Sequence, residues 1–581
     1  MRSSAHCFYI SLLALASVAA APAGFAVELE PWQTHTPQTV RVLYVDADAQ
    51  GEQATGEAGA PLPTIQAAVD HALQHTARGE ATRIIVRPGV YRETIDITDR
   101  GGEQGPSLEI VADRAGEVVI SGSDVLTDWR RDGENWTHDW SLELGWVDNP
   151  WPGLMPMDQP GFRRELVFVD GQPLRQVFDA DHLAAGTYLV DDDARTLRVV
   201  PPVGVALNEA TVEASVRPTA KYGPHSKLLR ADGISNLTLR GLVFRHAASL
   251  PFHDPAVALR KCRNVVIEDC TIELNGGVGL GGEVVNAKLT KVRANRNGTL
   301  GMEGKWSNAL VESCQTNDNN WRGALFGATG WAPCGFKFTF VDGMILRDHQ
   351  AIANHASGGW LDDSNRNVLI ERFVGVNNVR SGLSLEANPG PIVVRDAVLM
   401  GNSTGLNCFD NRNVIVEQSL IADNASRQVR LSGSSPLPDE ELSKITPQWR
   451  RHRLSSRQPP MHYTFRDTVI GATRRAASAK LIDYWMRGNF RDADGRWYLD
   501  ALNTTLVLDR LTLSHPDPDS PLFPEPTGKA ATWTQWSSEL TNPKVTWAAD
   551  RIDTAIRQAE RRLGIEATGF GGAVNDEDPG L

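Results

Sequence analysis

With 581 residues the chain has room for several domains or one extended repeat, and its net charge of −13 makes it acidic. That balance argues against a nucleic-acid partner and against strongly anionic polymers, and leaves neutral polymers open. Six cysteines, one of them Cys7 in the leader, leave an odd number and no Cys/His pair at zinc spacing, so no disulfide framework is expected.

In chain order, residues 1–26 read as a signal peptide. Arg2 opens it, Phe8 to Ala21 form an apolar core too short to span a bilayer, and Gly24-Phe25-Ala26 supplies a small-residue cleavage site. An exported protein, periplasmic or extracellular and without membrane insertion, is the expectation. Residues 27–135 hold a cap and the first coils. "PTIQAAVDHALQ" places Ile65, Val69, Ala72 and Leu73 on one helical face, and "RIIVRPGVYRETI" follows as strand and turn. Over 136–217 the pattern changes to hairpins, "LVFVDGQPLRQV" and "GTYLVDDDARTLRVV", the second turning at Asp191 to Arg195; this reads as an inserted β subdomain.

From 218 to 435 one phrase recurs, Asn-x-aliphatic-x-aliphatic, at Asn236, Asn264, Asn367 and Asn413, with weaker copies at Asn286 and Asn308. The steps are 28, 22, 22, 59 and 46 residues; the 59 fits two coils plus an insertion around Thr329 to Phe340. A period of 22 to 24 residues built from short alternating strands predicts a parallel β-solenoid. A leucine-rich repeat is excluded by the missing Leu-x-x-Leu-x-Leu pattern. The asparagines suit left-handed turn positions and stacking from coil to coil, a scaffold role. Cys270 and Cys314 read as small apolar groups on the inner face. Residues 436–581 hold the last, irregular coils, an arginine-rich surface loop (449–457) and a short amphipathic helix, "RIDTAIRQAERRLG", with Gly564 past its end.

The cap helix, "IIVRPGVYRETI" and the Asn-led coils resemble the right-handed parallel β-helix superfamily of pectate lyases and many glycoside hydrolases, over roughly Arg41 to Ser435. "NHASGGWLDD" followed by "SGLSLEANPGP" is similar to the catalytic region of bacterial β-helix glycoside hydrolases of the β-xylosidase and fucosidase type. The implied fold class is all-β, a right-handed parallel β-helix with an N-terminal cap helix and an inserted β subdomain. The resemblance implies Asp362 as nucleophile and Glu386 as acid/base, with the adjacent Asp363 as the rival for the first role.

The residues permit that chemistry. Aligning "WLD" with "SLE" sends Leu361 and Leu385 one way and both acids the other. Neighbouring coils lie ~4.8 Å apart, which favours the ~5–5.5 Å carboxyl separation of a retaining glycosidase. Asp410, another 24 residues on, extends the acids into a column. Glu303, five residues before Asn308 as Asp362 is before Asn367, joins the strip lower down. Trp360 and Trp331 are candidates for stacking on sugar. Trp321, which also lies near the cleft, reads equally as packing. His355, Asn388 and Lys337 are candidates for substrate contact. Each of these taken singly reads equally as packing or as a solvated turn residue. The reading is a carbohydrate substrate, no cofactor and no metal. Two rivals stay open: a polysaccharide lyase on the same fold, for which the acids hold Ca²⁺, and a non-catalytic carbohydrate-binding solenoid. Against the lyase, no Lys/Arg cluster stands beside Asp362 and Glu386 in the sequence.

Overall fold

The computed structural model describes residues 40–564 apart from 50–53, 77, 99–104, 143, 145–158, 217–226, 331, 435–461, 488–505, 525–529 and 549–550. The stretch 1–26 expected to be a signal peptide, Trp331 and the arginine-rich stretch 449–457 therefore lie outside the described residues.

Short apolar-alternating runs cannot bury a face alone, so they stack. One coil contains the strands Ser357–Asp362, Arg366–Glu371 and Val374–Val376. The next repeats them as Ser381–Glu386, Ile392–Arg395 and Val398–Met400. Counterparts pair in parallel, with Leu361 opposite Leu385, Ile370 opposite Val394 and Val376 opposite Met400. The product is a parallel β-helix whose interior is a single apolar column. Leu361, Leu385, Cys408 and Leu431 are all fully buried along one line of it. Truncating such a leucine to alanine costs about 2–5 kcal/mol.

Corners between strands need left-handed backbone, and asparagine provides it. Asn236, Asn264, Asn286 and Asn308 have φ of 59°, 54°, 62° and 50°. Each side-chain amide donates to the carbonyl of the one before it, at 2.9, 2.8 and 2.8 Å. Two further ladders inside the helix have no counterpart in the sequence reading. One runs through Asn275, Asn297, Asn319, Asn354, Asn378, Asn402 and Asn424, all fully buried. There each backbone N–H from Asn297 onward donates to the next asparagine's Oδ1, as at Asn354 to Asn378, 3.0 Å. The other runs through Asn365, Asn388 and Asn411. These amides satisfy corner groups that water cannot reach. All five described cysteines are buried free thiols.

The helix Ile65–Thr76 lies over the first coils, burying Ile65, Ala68, Val69 and Ala72, while Leu73 is half-buried beside them. Its first free N–H groups, Ile65 and Gln66, donate to the two oxygens of Glu93, both at 2.8 Å. The antiparallel subdomain starts earlier than Trp136: Ser123–Val125 already pairs with Val212–Ser215. Its own core gathers Trp140, Val167, Tyr188, Leu197 and Val199.

One boundary differs from expectation. The extra residues of the long coil precede the strand Cys334–Phe338, which is itself a rung paired with Ser357–Asp362; they form the short helix Trp321–Leu325 and the loop after it. Among the described residues the parallel pairing also continues beyond Ser435, across the longer, irregular coils expected there. Tyr463–Arg466 pairs in register with Val414–Glu417, and Lys480–Arg487 with Arg427–Ser434. The C-terminal helix Arg551–Leu563 packs Ile552, Ile556 and Ala559 against Val374, Val398 and Leu420. It ends at Gly564, φ 65°.

Candidate active site

The strands containing Cys334–Phe338, Ser357–Asp362, Ser381–Glu386 and Thr404–Phe409 form one face of the helix. Because alternate residues point outward, two outer columns run side by side up this face. One holds Glu303, Lys337, Trp360, Ser384, Asn407 and Arg430, each paired with the next. The other holds Asp362, Glu386, Phe409 and Ser432.

Asp362 and Glu386 are direct register partners on adjacent strands, both half-buried. Asp363 falls beyond the strand end in a left-handed corner, φ 55°, its backbone N–H donating to the Glu386 carbonyl at 3.0 Å. Asp362 is therefore the one of the two that shares Glu386's column.

Lys337 belongs to this site. Its Nζ lies 2.9 Å from Asp362 Oδ2 and 4.0 Å from the centre of the Trp360 ring, a salt bridge and a cation–π contact together. Burial alone would push this ammonium down, but attraction to Asp362 and then to Glu386 outweighs it, holding the group above its ordinary value. On the coil below, Glu303 Oε2 lies 3.2 Å from His253 Nδ1. The hydrogen bond to Glu303 raises the His253 pKa against burial and against the nearby Lys337 and Lys305. His253 sits on the loop before the strand Val257–Glu268 and outside any repeated phrase, and no sequence signal marks it.

The remaining expectations fare differently. Glu303 lies not in the column of Asp362 but in the adjacent one, below Lys337. Asp410 does not extend the acid column: the coil after Glu386 steps by 23 residues, so Phe409 faces Glu386 and Asp410 occupies the corner, φ 51°. Asn388 is scaffold rather than a substrate contact. It is 1% exposed, and its amide donates to the Leu361 carbonyl and to Asn411 Oδ1, both at 2.9 Å. His355 sits on the corner before the strand Ser357–Asp362, at the end opposite Asp362, where its Nε2 lies 3.4 Å from Asp318. Trp321 is tied to the scaffold by an indole N–H bond to the Arg296 carbonyl, 3.0 Å. Trp360 lies on the outer face but packs at the edge of an apolar cluster of Phe162, Phe252, Val278, Leu300, Ala328, Ala332 and Cys334. That cluster joins the inserted subdomain, through Phe162, to the lower rungs beside the site.

Among the described residues no three His, Cys, Asp or Glu side chains are grouped as metal ligands, and no helix is long and apolar enough to cross a membrane.

The family model for a right handed beta helix region matches residues 228–421. No curated protein sequence matches the chain. Among solved structures, a complex of XylC with xylose aligns over 78% of this chain and 87% of its own, at 13% identity and TM-score 0.53. The A-module of the Azotobacter vinelandii mannuronan C-5 epimerase AlgE4 aligns over 81% and 94%, at 13% identity and TM-score 0.43. Pectate lyase Pel9A aligns over 82% and 87%, at 14% identity and TM-score 0.34. The chain is thus an all-β solenoid, a right-handed parallel β-helix. The match to a right handed beta helix region over 228–421 and the alignment with the XylC structure are likenesses of fold.

Proposed function

We propose that the protein is an exported glycoside hydrolase that cleaves plant- or algal-type oligosaccharide or polysaccharide chains by double displacement. The observation that carries this reading is the register pairing of Asp362 with Glu386. Side chains on the same face of adjacent parallel strands start ~4.8 Å apart, which suits a nucleophile and an acid/base at ~5–5.5 Å and leaves no room for the water an inverting pair needs. Asp362 attacks the anomeric carbon while Glu386 gives its proton to the departing glycosidic oxygen. A glycosyl ester on Asp362 results. Glu386, now a carboxylate, takes a proton from water, which opens the ester and restores both groups. Lys337 fixes the Asp362 carboxylate for in-line attack. The likeness to a structure described as a xylose complex agrees with a sugar as ligand.

A lyase has one observation in its favour. A cation, Lys337, the lysine named as a candidate for substrate contact, stands beside Asp362, although no cluster of Lys and Arg does. One physical point weighs against elimination. The base of such a reaction needs a lysine that gives up its proton easily, and Lys337 is shifted the other way.

A panel of aryl glycosides and plant and algal polysaccharides tests the proposal. Reducing sugar released without the ultraviolet absorbance of an unsaturated product supports hydrolysis; calcium-dependent growth of that absorbance refutes it.

A further inference from the structure

We propose that Phe409 is the platform for the sugar on the leaving-group side of the scissile bond, so that substrate lies along the helix axis in one direction only. This rests on the hydrolase reading above.

The direction follows from the order of the two acids. In double displacement the nucleophile lies beneath the anomeric carbon, and the acid/base lies beside the oxygen that departs. Asp362 is on the lower rung and Glu386 on the one above it. The sugar that becomes esterified therefore sits toward the N-terminal coils, and the sugar that leaves sits toward the C-terminal coils.

The two sides differ in construction. Trp360 shares Asp362's rung and Lys337 lies on the rung below, where the outer positions Val278, Leu300 and Cys334 are apolar and covered by Phe162, Phe252, Ala328 and Ala332. That end is occupied by protein. From Asp362's rung upward the same positions turn polar: Ser357, Ser381 and Thr404, themselves buried, continue the line of Cys334, and Ser384 and Asn407 continue that of Trp360.

Phe409 is the exception in that polar stretch. It is the register partner of Glu386, its chain neighbour Cys408 points inward, and the ring is half-buried on the outer face. It belongs to none of the apolar clusters of the described residues. An aromatic ring left half in water, one rung from the acid, offers a flat apolar surface to the face of a sugar ring. Asn407, on the same face two residues earlier, supplies an amide for its hydroxyls.

The test compares a glycosyl fluoride with a disaccharide of the sugar that the wild-type enzyme hydrolyses. Fluoride departs without a ring to stack, so the ratio of the two kcat/KM values isolates the leaving-group side. Phe409→Ala is expected to lower the disaccharide-to-fluoride ratio about tenfold. Phe409→Ala should also reduce transfer of the glycosyl group to an added sugar acceptor relative to water. Trp360→Ala, on the other side, should lower both substrates together. Circular dichroism of Phe409→Ala and of the milder Phe409→Leu confirms that the coil is intact. An unchanged ratio in Phe409→Ala, or an equal change of ratio in Trp360→Ala, overturns the assignment. Full activity in Asp362→Asn would instead overturn the hydrolase reading itself.

Discussion

Asp362 and Glu386 occupy the same place on successive rungs, and Lys337, one rung lower and one column across, bridges to Asp362 at 2.9 Å. If these three act as described, their removal should leave distinguishable signatures. Glu386→Gln should lower kcat about 10²–10⁴-fold on substrates with poor leaving groups, and much less in the first step on activated aryl glycosides. Asp362→Asn should abolish both. Stopped assays with paired substrates separate the two; equal losses on every substrate in Glu386→Gln would deny it the role of acid.

Lys337 is expected to act through Asp362. Lys337→Met keeps the stem over Trp360 but removes the charge that orients the carboxylate, and a misplaced nucleophile costs on the order of 10²-fold in kcat. The loss should fall on kcat more than on KM. A change confined to KM would make Lys337 a substrate contact only.

Asn388 is expected to matter for stability and not for recognition. Asn388→Ala leaves the Asn365 N–H and the Leu361 carbonyl without their partners, at about 1–3 kcal/mol for each buried group. Denaturant unfolding should show the loss while KM of the folded fraction stays at the wild-type value. An intact stability curve would contradict the ladder's role.

Two buried histidines give the fold an acid limit. Burial lowers His246 and His349 from 6.5 to about 3. His349 lies between Phe336 and Phe373 and bonds Thr316 Oγ1, and His246 stacks on Phe168. Below pH 6.5 the unfolded chain takes up protons that the folded chain refuses. The stabilisation is therefore complete above 6.5 and is lost as pH falls toward 3, at up to ~1.4 kcal/mol per pH unit for each histidine. His349→Phe should flatten this slope in melts taken between pH 6.5 and 4; an identical slope would contradict it.

How much of this was legible depends on whether the relevant spacing was regular. The Asn-led corners and the "WLD" and "SLE" phrases repeat at constant distance, so the helix, the Asp362–Glu386 pair and the scaffold asparagines could be read directly. Asp410 was misplaced because one coil is a residue shorter, and in a strand a slip of one moves a side chain to another position. The buried ladder from Asn275 to Asn424 carried a similar signal, spaced 22 and 24 residues over much of its length, but its asparagines sit in turn phrases already explained by local geometry. Lys337 could be suspected but not placed, because the insertion before Cys334 obscured its rung. His253 lies on a loop with no repeat to align.

The most direct test of the central claim is the configuration of the first product. Proton NMR of a fresh reaction on an activated aryl glycoside should show the released sugar with the anomeric configuration of the substrate. A 2-deoxy-2-fluoro analogue should leave its glycosyl group on the peptide containing Asp362. An inverted first product would contradict the one-rung carboxylate pair as the catalytic machinery.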